Sequence, residues 1–91
     1  MYQLVVTELA LKHLDFYKKT GNVAALRKIQ KLFIELKEHP KTGTGKPEAL
    51  QGDLYGYYSR RIDQKNRMIY SINNNVVTVE VFSLLGHYKD K

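Results

Sequence analysis

The apolar positions change period along the chain, and each change marks an element. Tyr2 to Val6 is a short β-prone run, and Thr7 follows as an N-cap before Ala10, Leu14 and Tyr17, which fall on one helical face. Thr20-Gly21-Asn22 interrupts that pattern. A second helix is predicted from about Val23 to His39, with Ala25, Ile29, Leu32, Phe33 and Leu36 as its apolar stripe and Pro40 closing it. Lys41 to Glu48 has loop composition, with two glycines and a proline. Strands rich in Tyr, Ile and Val are predicted over Tyr55 to Ile62, Arg67 to Asn73, and Val76 to about Leu84. The order is β-α-α-β-β-β, an α+β fold with both helices in the N-terminal half, packed on an antiparallel-dominated sheet.

Strand parity predicts which side chains share a face. A two-residue turn at Asn74-Asn75 pairs Ile72 with Val77 and Met68 with Val81, on the face that receives the helices. Placing Tyr58 and Ile62 on that face sends Tyr57, Ser59 and Arg61 to the other, and the loop Asp63-Gln64-Lys65 then sets Arg61 opposite Arg67. The same parity points Arg60 into the apolar side, which needs an edge or a bulge to be comfortable.

At 91 residues the chain is read as one domain, residues 1–91. Hydrophobic residues at 43% suffice for a core, while a mean hydropathy of −0.45 excludes a membrane span. The absence of cysteine excludes disulfides, thiolate metal sites and thiol nucleophiles. The N-terminus has neither the basic start nor the long apolar run of a signal peptide, so a cytoplasmic location is expected. A formal charge of +6 favours phosphate-rich partners. The helical lysines and arginines read as a solvated face rather than a groove-reading surface.

Two arginines facing each other repel, and a bound phosphate between them would resolve the conflict. Partly exposed ion pairs to Glu80 or Glu48 explain the same pattern. Tyr55, Tyr57, Tyr58 and Tyr88, interleaved with Arg60, Arg61 and Arg67, match the aromatic-plus-cation composition of single-stranded RNA sites, although tyrosine is also an ordinary strand residue. No spacing among His13, His39, His87 and the carboxylates makes a metal site, and there is no glycine-rich phosphate loop or nucleophile elbow. Glu48, His87, the arginines and the tyrosine hydroxyls remain. That set is compatible with general acid–base phosphoryl transfer using an RNA 2′-hydroxyl as nucleophile.

Several strings together resemble one family: Gly45-Lys46-Pro47-Glu48; Leu50, Gly52 and Leu54; Gly56-Tyr57-Tyr58-Ser59-Arg60-Arg61-Ile62; Arg67-Met68-Ile69-Tyr70; and His87-Tyr88. In order and spacing they resemble the YoeB/Txe family of ribosome-dependent mRNA interferase toxins, which has the RelE-like superfold. The resemblance implies a bacterial type II toxin that cleaves mRNA in the A site of the 70S ribosome, with rRNA contacts, without a cofactor or metal. A YefM-like acidic antitoxin would restrain it, and a homodimer is compatible with it. By matching positions, Glu48 would be the general base, His87 the general acid, Arg67 the stabiliser of transition-state charge and Tyr88 a substrate-positioning group. Lys46 and Arg61 would be supporting cations.

The chain departs from the family pattern at Tyr58, where tryptophan is common, at Gln51, where a basic residue is common, and at Gly86. Residues Lys89-Asp90-Lys91 continue past Tyr88, so a role for the terminal carboxylate is not carried over. The competing expectation is a noncatalytic RelE/ParE-like protein that inhibits a protein or ribosomal target by binding. Joint possession of Glu48, Arg67, His87 and Tyr88 favours the enzyme.

Overall fold

The computed structural model describes residues 1–86. Its elements are β1 (Gln3–Val6), α1 (Glu8–Lys19), α2 (Val23–Glu38), β2 (Glu48–Ala49), a 3₁₀ turn (Gly52–Leu54), β3 (Tyr57–Arg61), β4 (Arg67–Asn73) and β5 (Thr78–Ser83). Helix α1 begins at the Thr7 cap the sequence suggests, and α2 begins at a side-chain cap from Asn22. The Thr7 hydroxyl accepts from the Ala10 N–H at 3.1 Å, and the Asn22 side chain accepts from the Ala25 N–H at 3.1 Å. Glu8 in the first turn of α1 and Lys18 and Lys19 in the last complement the helix dipole.

The sheet order is β1-β5-β4-β3-β2. β1 runs parallel to β5, and every other pair is antiparallel. The helices cover one face. Ala10 and Tyr17 of α1 and Ala25, Ile29, Leu32 and Leu36 of α2 pack against Met68, Tyr70, Val79 and Val81, with Ile62 and Leu84 closing the core. Each of the larger aliphatic side chains contributes about 1.5–3 kcal/mol by leaving water. Burial, reinforced by the Asp63 charge, pushes the Tyr17 phenol up to about 12, and its hydroxyl donates to the Leu84 carbonyl at 2.7 Å.

Three expectations change. The β4–β5 register differs by two residues: Ile72 pairs with Val79 and Tyr70 with Val81, not Ile72 with Val77 or Met68 with Val81. The Asn73 side chain accepts from the N–H groups of Asn75 and Val76, which widens the turn through Val77, a residue at φ 49°. From Tyr70 to Asn73 the shift is even, so those side chains keep their faces. A bulge between Ile69 and Tyr70 accompanies it. A short edge strand, β2, begins at Glu48, the last residue of the segment read as loop. His13, read as a helix-surface residue, accepts the Leu84 N–H on Nδ1 at 3.0 Å, and burial lowers its pKa from the usual 6.5.

Arg60 does point inward, but at neither an edge nor a bulge. It is fully buried opposite Met68, and burial is tolerated because its whole guanidinium is used. Nη1 meets Glu35 Oε1 at 3.0 Å, Nε donates to the Tyr70 hydroxyl at 3.1 Å, and further N–H groups reach the carbonyls of His39, Thr42 and Thr44. The Tyr70 hydroxyl in turn donates to the Pro40 carbonyl at 2.8 Å. A loop without ladder partners thus has its carbonyls satisfied by two side chains of the sheet.

Candidate active site

The loop secured by Arg60 leads directly to the open face of the sheet. Glu35 accepts from both the N–H and the hydroxyl of Thr44, at 2.8 and 2.7 Å, which fixes the path into Gly45. Burial alone would raise the Glu35 pKa, but the two Thr44 hydrogen bonds and the Arg60 and Lys31 charges outweigh it and hold the carboxyl below its usual range. The Gly45 carbonyl then accepts from the Arg61 N–H at 2.7 Å. Lys46 follows at φ 53°, and two residues later Glu48 enters β2 opposite Ser59.

The face opposite the helices carries Glu48 of β2, Tyr57, Ser59 and Arg61 of β3, Arg67 of β4 and Phe82 of β5. The register places Arg61 directly opposite Arg67, as strand parity predicts. Arg67 Nη1 lies 3.7 Å from Glu48 Oε1 and donates weakly to Ser59 Oγ at 3.4 Å. At 3.7 Å the charges attract without a hydrogen bond, so Glu48 is close to Arg67 yet not committed to it. Glu48 is 61% exposed at the side chain and Arg67 22%. The carboxylate is open to a ligand and the guanidinium is held by the sheet. Lys46 and Arg61 are both exposed. Tyr57 and Phe82 meet edge to face with centroids 5.8 Å apart and form an apolar floor beside the cations.

Glu48, Arg67 and Arg61 are therefore gathered at one end of the open face, with Lys46 two residues before Glu48 in the chain. His87 and Tyr88 lie outside the described residues. The described chain ends at Gly86, whose carbonyl accepts from the Arg67 N–H at 2.8 Å and whose N–H donates to the Asn66 side chain at 2.9 Å. Asn66 also contacts the Asp63 carboxylate at 3.1 and 3.2 Å. Ser59 and Asn66 were not singled out from sequence. Parity puts Ser59 beside Arg67 and could have flagged it, whereas nothing local signals that Asn66 binds Gly86. Among the described residues no group of three or more His, Cys, Asp or Glu side chains could hold a metal ion. No helix among them is long and apolar enough to cross a membrane.

A family model described as a YoeB-like toxin of bacterial type II toxin-antitoxin systems matches residues 6–88. Toxin YoeB of Synechocystis is 43% identical over 96% of this chain and 98% of its own length. Toxin YoeB of Mycobacterium bovis is 47% identical over 53 residues, which span 58% of this chain and 62% of that relative. A solved YoeB/ParE toxin from Agrobacterium tumefaciens superposes with a TM-score of 0.87 at 35% identity, covering 94% of this chain and 99% of that one. The YoeB of a Staphylococcus aureus YoeB-YefM complex gives a TM-score of 0.80 at 27% identity, over 97% of this chain and 99% of that one. The fold is α+β and RelE-like, and the chain belongs to the YoeB-like toxins of bacterial type II toxin-antitoxin systems.

Proposed function

We propose that this toxin is a ribosome-dependent endoribonuclease that cleaves mRNA in the A site by metal-independent acid–base chemistry. The observation that carries the reading is an exposed carboxylate, Glu48, 3.7 Å from a sheet-anchored guanidinium, Arg67, with Arg61 across the strand. Glu48 takes the proton of a 2′-hydroxyl as that oxygen bonds to the adjacent phosphorus. The bond from phosphorus to the 5′-oxygen breaks, and His87 gives that oxygen a proton. Arg67 receives the extra charge on the nonbridging oxygens through its planar fork, with Arg61 and Lys46 adding field and Tyr88 orienting the substrate. The products are a 2′,3′-cyclic phosphate and a 5′-hydroxyl. A YefM-like acidic antitoxin and a homodimer extend to this chain from the Staphylococcus aureus YoeB-YefM and YoeB dimer structures. The reading places the reaction in the cytoplasm, where translating ribosomes are.

Single-turnover cleavage on programmed ribosomes tests this. Glu48→Gln and His87→Ala should each slow cleavage by about 10²–10⁴ while leaving melting unchanged. Arg67→Lys should also be strongly impaired, because an ammonium keeps charge without the bidentate geometry. Wild-type rates in the Glu48 and His87 variants would remove both from these roles. Growth arrest that survives Glu48→Gln would favour a noncatalytic inhibitor.

A further inference from the structure

A second concavity lies at the far end of β3 from Arg61. It has a volume of about 260 Å³, with Leu50, Tyr58 and Ile72 lining its inner part and Tyr55, Lys41 and Asn74 at its rim. Drug-sized ligand pockets run to about 300–1,000 Å³, so this one has room for a single planar ring system.

Tyr55 is held ready at the mouth. Its N–H donates to the Gly52 carbonyl at 3.0 Å, capping the 3₁₀ turn, and Gly56 behind it turns the chain at φ 98°. The residue is nonetheless 78% exposed. Its neighbours spend their rings elsewhere, Tyr57 edge-on against Phe82 and Tyr58 stacked on Tyr70, whereas Tyr55 has no ring partner among the described residues. Lys41 makes no ion pair among the described residues. The Asn74 side chain is pinned by the Tyr2 hydroxyl at 2.7 Å.

We propose that this pocket is a nucleobase subsite, in which Tyr55 stacks on a base of the RNA strand and Lys41 pairs with a phosphate of the same strand. The inference rests on the reading of RNA as substrate and goes beyond the reacting groups. Continuity with the candidate active site supports it. Glu48 and Ala49 are consecutive on the edge strand β2, the first opposite Ser59 on the open face and the second lining the pocket. Tyr57, which lines the pocket, and Ser59, which Arg67 contacts, are two residues apart on β3, about 7 Å along the strand at roughly 3.3 Å per residue, so the two places lie within reach of neighbouring nucleotides of one RNA strand passing over the β2 edge. A strand crossing the β2 edge therefore sets one phosphate at Arg67 and a flanking base at Tyr55. The unpaired cation and the chain's +6 charge favour a nucleotide over an apolar peptide side chain.

Amide NMR titration of the intact chain with AMP, UMP, inorganic phosphate and N-acetylphenylalanine amide tests the pocket directly. Either nucleotide should give saturable shifts at Ala49, Gly56 and Asn74. Tyr55→Ala should weaken that binding about tenfold, as loss of one stacking side chain does, with unchanged melting. Lys41→Gln should weaken it less. No shifts, equal shifts with phosphate alone, preferential binding of the phenylalanine amide, or nucleotide binding indifferent to Tyr55→Ala would each overturn the subsite. On programmed ribosomes, Tyr55→Ala should slow cleavage about tenfold on normal mRNA and have no further effect once the flanking base is abasic. Equal slowing on both messages would also overturn it. A wild-type chain that cleaves neither message would sink the nuclease reading, while the titration still decides the pocket.

Discussion

Arg60 and Arg61 are adjacent in the chain and opposite in environment: Arg60 is fully buried against Glu35 and the His39–Thr44 carbonyls, while Arg61 is exposed across from Arg67. One strand thus uses consecutive arginines to hold the loop from beneath and to charge the surface above it. The separation follows from strand alternation alone.

Truncating Arg60 should be far costlier than truncating Arg61. Arg60→Met leaves the Glu35 carboxylate, the Tyr70 hydroxyl and the loop carbonyls short of a donor, and a loss of about 3–5 kcal/mol is expected, as for one partner of a buried pair. Arg61→Met should stay within about 0.5 kcal/mol, as surface changes do. Urea unfolding of both variants checks the contrast, and equal midpoints would contradict it. The same hub fixes the approach to Glu48. Glu35→Gln should therefore slow cleavage when Glu48 is intact and add little when Glu48 is already Gln.

Parity and capping explain why much of this was legible beforehand. Thr7 announces the start of α1, and alternation together with the short Asp63-Gln64-Lys65 loop sets Arg61 against Arg67 and turns Arg60 inward. What relieves Arg60 was not legible, because Glu35 lies 25 residues away on α2 and no local pattern links them. The β4–β5 register is not legible locally, since Asn74-Asn75 resembles a two-residue turn, while Asn73 captures the next N–H groups and lengthens it. Strand β2 spans only Glu48–Ala49, too short for any period to show. The grouping of Glu48 with Arg67 is legible twice, as the partly exposed ion pair that would relieve the facing arginines and from family resemblance, while its 3.7 Å geometry needed the fold.

Gly45 should tolerate no side chain. It sits at φ 85°, and a Cβ there would stand 2.9 Å from the Arg61 carbonyl oxygen and 3.1 Å from its nitrogen, backbone atoms fixed by the sheet. Gly45→Ala should therefore cost about 1–3 kcal/mol and weaken cleavage by displacing the segment that enters β2. Gly21 is the control, at φ 69° but with nothing within 4 Å of its Cβ position. Gly21→Ala should lose less stability and no activity. If the two alanines melt alike, the close approach to Arg61 is not what selects glycine at 45.

Acid should destabilise the fold in two stages. His13 has a folded pKa below 6.5, so the folded state resists protonation more than the unfolded chain does. Its contribution is present above about pH 6.5 and is lost as pH falls toward the folded value. A proton on Nδ1 would also abolish its bond from the Leu84 N–H. Glu35 and Asp63 are likewise held low. At Asp63, burial raises the pKa, but hydrogen bonds from Asn66 and Lys65 outweigh it. Both carboxylates stabilise fully above their ordinary values of 4.5 and 3.8 and lose that contribution as pH drops through their folded values. Melting temperature should be level from neutrality to about pH 9, decline gently below about pH 6.5, fall steeply below about pH 4.5, and decline again above about pH 10, where the unfolded chain ionises the phenol that burial holds neutral at Tyr17. His13→Gln should flatten the first slope and Glu35→Gln should reduce the second. An unchanged acid profile in Glu35→Gln would show that its hydrogen bonds to Thr44 carry no net stability.

The proposed acidic antitoxin has its natural docking place on the cations of the open face. Arg61 and Arg67 face each other at one end of β3, the Tyr57–Phe82 pair lies toward its other end, and Phe82 is 40% exposed, so the face offers both charge and an apolar step. A disordered acidic segment of an antitoxin can fold onto it with carboxylates at the arginines and apolar side chains on the aromatic pair. Rim charges of this kind set association rate and salt dependence more than residence time. Arg61→Gln and Lys46→Gln should therefore slow antitoxin association and flatten its dependence on salt, whereas Phe82→Ala should mainly speed dissociation. Stopped-flow binding of the isolated acidic C-terminal half of the cognate antitoxin reads both rates. If that fragment neither binds nor blocks cleavage while the intact antitoxin does both, masking of this face is wrong. Neutralisation would then come from bulk that keeps the toxin out of the ribosome.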